Sequence, residues 1–246
     1  MKSISEISLL MIPFLLPNLF TKTNASLMKV PIIVLNVICW DWDQLLDPTI
    51  AFWKAWHGDF YDAFFMTTVA YFIVDLVWVC VFPKCVKSPS TIVQHHLAVL
   101  LYIMIPHLMP GMRWAMGACM SVEVNTWFLI ARRVFNKQGF GPWTIGLPYL
   151  FSVRVKLISI FFYTTWIAAR IVIFPSMLVV YYQMYRDPAA FQLQWSKAEH
   201  STVFFSFVFV IHSIFVFLNF RWTIDLVNSK ITQWRSKGKT KVSSGL

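Results

Sequence analysis

Long apolar runs separated by short polar stretches set the pattern of this chain. Five runs reach the ~20 mostly apolar residues that a membrane-crossing helix needs: about 61–82, 91–109, 113–133, 149–173 and 201–221. They are continuous rather than alternating, which argues against a transmembrane β-barrel. Two further runs, 7–20 and 28–40, are short and contain proline, so one or both are candidates for insertion. The first also resembles a signal peptide: Lys2, an apolar run, then small residues in "TNAS". Asn24 in that stretch opens a glycosylation sequon, usable only on a lumenal side. After Arg170, "RIVIFPSMLVVYYQMY" reads either as a continuation kinked at Pro175 or as a short re-entrant segment. The pattern predicts an all-α, polytopic bundle of about six spans, five at the fewest and seven at the most.

Composition agrees with a membrane setting. Of 246 residues, 58% are apolar and only 13% are charged, where soluble domains carry about 25% charged residues. The 23 Phe and 12 Trp suit helices that face lipid and end at its interfaces. The net charge of +10 is concentrated after the last run, in Arg221, Lys230, Arg235, Lys237, Lys239 and Lys241. In a membrane protein this reads as a cytoplasmic tail, not as a nucleic-acid surface. Working backward from that tail, Lys84, Lys87, Arg132, Arg133 and Lys137 also fall on the cytoplasmic side. Asp41, Asp43, Asp47 and Asp59 fall on the lumenal side. The resulting organisation is 1–60 as N-terminal membrane segments and a lumenal loop, 61–228 as the transmembrane domain, and 229–246 as the basic tail. The expected partners are membrane lipids, with no nucleic acid; the sequence leaves the oligomeric state open.

Cys39, Cys80, Cys85 and Cys119 show neither metal-ligand spacing nor a disulfide framework. Cys80 and Cys85 flank a helix end and read as palmitoylation sites or as small interfacial residues. There is no glycine-rich phosphate loop, no nucleophile elbow and no zinc signature, and no metal site is expected.

The informative residues are the ionisable ones inside the runs, because each costs at least ~2.5 kcal/mol to insert. A rise of about 1.5 Å per residue sets their depth. Asp75, the pair His95 and His96, and Arg154 with Lys156 fall at one level, in the half of the membrane nearer the tail. Glu123 and His212 fall near the middle, and Arg170 toward the other side. Adjacent helical residues point about 100° apart, so His95 and His96 cannot both face one point. Three uses are open: a histidine as general base or nucleophile oriented by a carboxylate, a metal pair, or a histidine–Asp75 bond that only joins helices. On the next helix Glu123, Thr126 and Trp127 share one face, while Asn125 and Arg132 share the opposite one. Glu123 reads as a buried acid working with histidine, or as a helix-pairing group, protonated or matched with Arg154 or Arg170. His212 and Asn219 stand seven apart on one face, which favours a packing role.

The order of these motifs resembles that of the TLC-domain membrane proteins, which include the ceramide synthases and smaller TLC-domain proteins. "AYFIVDLVW" (70–78) is similar to the family's aromatic helix with an embedded Asp, and "VQHHLAVLLY" (93–102) to its histidine-pair helix. "MSVEVNTWFLIARRVF" (120–135), "FFYTTWIAARIVIFP" (161–175) and "FLNFRWTIDLV" (217–227) resemble the helices that follow. The resemblance implies a helical bundle of the endoplasmic reticulum or another endomembrane, with histidine in a lipid-accessible cavity and a role in lipid handling or sphingolipid balance. For a synthase it further implies acyl transfer from acyl-CoA as co-substrate, with no bound cofactor. The catalytic set would be His95, His96, Asp75 and Glu123, and the substrate-facing set Arg132, Arg154, Arg170, His212 and Asn219. Where synthases carry two aspartates three apart, this chain has Glu123 and Thr126, which fits the smaller TLC proteins better. A transporter or cargo receptor is a further reading of the same buried polar level.

Overall fold

The structure is a computed structural model that describes residues 29–86, 88–137, 148–187 and 198–243. The segments 7–20, with its span or signal-peptide alternatives, and Asn24 lie outside the described residues. Every element described is a helix; the one β feature among the described residues is an isolated bridge between Trp40 and Trp56. The chain divides into two compact units, 1–166 and 167–246.

The first unit opens with α1, Val30–Ile38. Pro31 suits its first turn, but nine residues are too few to span a bilayer. A short helix α2, Trp42–Leu46, follows, capped by Asp41, whose Oδ1 accepts from the amides of Asp43 and Gln44 at 3.1 Å each. Gly58, at φ +69°, turns the chain into α3, Tyr61–Val81, which stops before Pro83. Pro89 starts α4, Pro89–Leu108, and Pro110 follows its end.

Both long helices are sorted by helical period. On α3, Tyr61, Phe64, Phe65, Thr68, Tyr71, Phe72 and Val79 are buried, and Met66, Ile73, Val77 and Val81 are exposed. On α4, His96, Val99, Ile103 and Pro106 face inward, while Leu97, Leu101, Met104 and Leu108 face out. An apolar outer face on long apolar helices is what a lipid solvent selects. Four helical stretches are long and apolar enough to cross a membrane: Tyr61–Val81, Pro89–Leu108, Val155–Arg186 and Val203–Thr232.

The run expected as one span over 113–133 is instead two helices, α5 at Arg113–Met120 and α6 at Val122–Lys137. Ser121 marks the break, and its hydroxyl donates back to the Ala118 carbonyl at 2.6 Å, a bond that bends helices. Every residue from Trp114 to Met120 is buried, so α5 is core rather than lipid-facing wall. Its small residues permit close approach. A Cβ at Gly117 would lie 2.3 Å from the Trp56 ring, and the Gly117 carbonyl accepts from Asn36 of α1 at 3.0 Å. Helix α7, Pro148–Trp166, pairs with α6: Asn125 donates to the Phe162 carbonyl at 3.0 Å, and Phe128 stacks on Phe161 at 5.4 Å.

The second unit begins with a π-helical stretch, Ile167–Ile173, which runs directly into α8, Phe174–Arg186. Of the two readings of this segment, the helix continues. Pro175 has no amide to donate to the residue four before it, and the wider π turn just upstream accommodates that missing bond. Helix α9 covers Ala198–Ser243, so the basic stretch expected as a tail after 228 continues as helix. A buried stripe of Phe174, Met177, Tyr181 and Met184 on α8 meets Phe205, Val208, His212, Val216 and Asn219 on α9.

Candidate functional site

Polar residues gather inside the first unit on three of its helices and on the residue preceding a fourth. Lys29, just before α1, forms a buried ion pair with Glu123 at the start of α6; their side chains are 7% and 5% exposed. The Lys29 ammonium also lies 4.9 Å from the centre of the Tyr71 ring on α3. One helical turn along α3, Asp75 Oδ2 stands 3.1 Å from Nε2 of His96 on α4. The His96 ring packs 5.1 Å from Phe72. Its Nδ1 is buried beside the Ile92 carbonyl without a well-formed hydrogen bond. Tyr71 links the two contacts, since it lies against Lys29 and stands one turn before Asp75 on α3.

Local sequence explains the placement. Asp75 follows Thr68, Tyr71 and Phe72 at helical spacing, on the inner side of α3. His96 leads the inward row of α4 with Val99 and Ile103, as the buried positions record. His95, one residue back, is half-buried, with its ring 5.7 Å from that of His96. The two histidines divide as their 100° separation requires. Asp75 keeps 27% of its side chain exposed, so the pair reaches from the packed interior to the unit's outer surface.

Of the residues assigned to this chemistry from sequence, Asp75, His96 and Glu123 come together. Glu123 has Lys29 as a partner, a residue not among those expected for it. The side chain of Arg154 lies outside the described residues, and Lys156 is exposed. Arg132 stands apart from the group: it lies against the aromatic rings of Phe162 and Tyr163 on α7, at 5.4 and 5.5 Å. Asn125 is as buried as Glu123 on the other face of α6, so this helix packs on both sides. Among the described residues, no three of His, Cys, Asp and Glu gather as a metal site would require.

The other assigned residues belong to the second unit and form their own contacts. Arg170, in the π-helical stretch, donates to Asn219 Oδ1 at 2.5 Å and lies 5.3 Å from the Trp222 ring. His212 Nε2 meets the Phe174 carbonyl at 2.9 Å. A carbonyl only accepts, so Nε2 carries the proton. The His212 ring also stacks on Phe174 at 5.4 Å and meets Tyr181 edge-on at 5.2 Å.

Sequence reasoning missed Lys29 and Tyr71. Lys29 precedes a short apolar run and reads as an ordinary flanking cation; its partner is 94 residues away. Tyr71 reads as one aromatic among many. The only available signal was that Glu123, an acid at membrane depth, required a cation somewhere.

Apolar outer faces, several membrane-length helices and a buried group of ionisable side chains define a multi-pass helical membrane protein. The sequence pattern of the TLC domain matches residues 25–229, and the chain belongs to that family, whose members are associated with lipids. The match includes Lys29 and extends upstream of residue 61. No curated relative and no solved structure matches the chain significantly.

Proposed function

We propose that this protein acts on membrane lipid composition through the group formed by Lys29, Glu123, Tyr71, Asp75 and His96. The observation that carries this reading is the Asp75–His96 pair, 3.1 Å apart and still partly exposed on the side of Asp75. An Asp within a span costs about 2.5–3.5 kcal/mol to insert. A hydrogen bond between membrane helices returns on average about 0.6 kcal/mol. Stability alone therefore does not account for the pair. An imidazole fixed by a carboxylate and influenced by a neighbouring ion pair is suited to binding, orienting or deprotonating a polar lipid group. The contacts of Arg170, His212 and Asn219 are read as helix pairing, since an amide oxygen and a main-chain carbonyl satisfy them. The setting is an endomembrane, with the basic C-terminus in the cytoplasm. The test is the lipid composition of cells after deletion of the gene: an altered sphingolipid or glycerolipid profile is expected, and an unchanged profile contradicts the reading.

A second reading makes the same pair catalytic, as in the ceramide synthases: His96 serves as base while an amine or hydroxyl acceptor takes an acyl chain from acyl-CoA. The carboxylate at ion-pair distance from Nε2 favours it. The retention of one acid, Glu123, where synthases have two, and the engagement of that acid by Lys29 weigh against it. Purified protein offered fatty acyl-CoA with a panel of amines and lysolipids separates the readings. Acylated product that disappears in His96→Ala supports the enzyme, and no product with any acceptor removes it.

A further inference from the structure

A second polar group occupies the other ends of α3 and α4, and the Asp75–His96 reading makes no use of it. Tyr61 opens α3, His107 lies in the last turn of α4, and Arg113 opens α5. Asp75 is about 21 Å farther along α3 by helical rise. The Arg113 guanidinium lies 4.4 Å from the centre of the Tyr61 ring. The rings of Tyr61 and His107 stack at 6.2 Å, and Phe65 stacks on His107 at 3.8 Å. Side chains from α4 and α5 thus lie against the ring of Tyr61 on α3.

Their polar atoms are unmatched. The Tyr61 hydroxyl, His107 Nδ1 and Arg113 Nε are each buried and have no hydrogen-bond partner. Tyr61 itself is only 2% exposed. Among the described residues no carboxylate stands at ion-pair distance from Arg113, and the neighbouring Asp62 is exposed. One unmatched buried donor is costly, and natural interiors hold few. The Tyr61 hydroxyl and Arg113 Nε donate, and His107 Nδ1 donates in the tautomer that carries its proton there; beside a permanent cation they suit a group rich in acceptor oxygens.

The surroundings indicate which group. The chain between α1 and α3 carries Trp40, Trp42, Trp53 and Trp56, and Trp114 meets Phe52 edge-on at 5.5 Å. Trp42 and Phe60 are exposed. Tryptophan gathered at the ends of spanning helices marks headgroup depth. There the commonest anion is phosphate, which a guanidinium recognises better than an ammonium does. We propose that Tyr61, His107 and Arg113 bind a phosphate group, presented by a lipid headgroup at this surface of the membrane.

The test uses the full chain in neutral detergent and reads the thermal unfolding midpoint during titration with phosphatidic acid, diacylglycerol of the same chains, or inorganic phosphate. Phosphatidic acid is expected to raise the midpoint and diacylglycerol to leave it unchanged. Arg113→Gln is expected to weaken the apparent affinity about tenfold or more. Tyr61→Phe, which keeps the ring and its stacking, should weaken it about fivefold. Lys156→Gln, which removes an exposed cation on α7 outside both polar groups, should respond to phosphatidic acid as the unaltered protein does. If Arg113→Gln does not fold, Tyr61→Phe carries the test alone. For a merely structural tyrosine, deleting an unmatched hydroxyl raises the midpoint and leaves the lipid response intact, and that result overturns the proposal. An effect of inorganic phosphate equal to that of the lipid supports the phosphate site with a soluble source. An equal effect of diacylglycerol overturns it.

Discussion

The two units give their buried ionisable groups different partners. In the first, beside amide-to-carbonyl bonds such as that of Asn125, ionisable groups meet each other: Lys29 with Glu123, and Asp75 with the His96 imidazole. In the second, Arg170 meets an amide oxygen and a ring face, and His212 meets a main-chain carbonyl. An amide or carbonyl acceptor keeps one protonation state and holds two helices in register. A carboxylate beside an imidazole offers a proton that moves, in a region where neighbouring charges are weakly screened. The comparison teaches that burial depth alone does not identify a reactive site. The residues of both units lie inside apolar runs, and only the chemistry of their partners separates them.

The comparison can be broken most strongly at the buried ion pair. Lys29→Met alone is expected to cost about 3–5 kcal/mol, because Glu123 is left as an unmatched buried charge. The double variant Lys29→Met with Glu123→Leu should recover most of that loss, since two apolar groups often replace a buried pair without penalty. Denaturant titration in detergent micelles reads both. In the second unit, Asn219→Leu removes a neutral acceptor from Arg170 and should cost about 1–3 kcal/mol by the same measurement. A cost equal to that of Lys29→Met would erase the distinction between the units. The smallest expected effect is at Asp75→Asn, about 0.6 kcal/mol, the average for polar contacts between membrane helices. A loss above about 2 kcal/mol would make the Asp75–His96 contact a structural fastening.

Much of the fold was legible because a lipid solvent leaves a strong pattern. The runs at 61–82 and 91–109 correspond to α3 and α4 almost to the residue. That the two histidines of α4 face different ways followed from helical period; that His96, in a row with Val99 and Ile103, is the one turned inward did not. The 113–133 run was read as a single span because hydropathy does not distinguish a lipid-facing helix from a buried one. "RWAMGACM" is core, and its small residues and Gly117 were the missed sign. Within the candidate site, the shared level of Asp75 and the histidines followed from depth arithmetic. The Lys29–Glu123 pair did not, because no local rule joins residues 94 apart. The unmatched Tyr61, His107 and Arg113 were equally hidden, since missing partners appear only after packing.

The central claim is that the polar group of the first unit serves lipid handling, whereas that of the second fastens helices. Cells lacking the gene, complemented with the unaltered protein, with His96→Ala or with Asn219→Leu at matched protein abundance, test it directly. The measured quantity is the cellular lipid profile. The unaltered protein and Asn219→Leu are expected to restore it, and His96→Ala to leave it altered. Full restoration by His96→Ala would contradict the account.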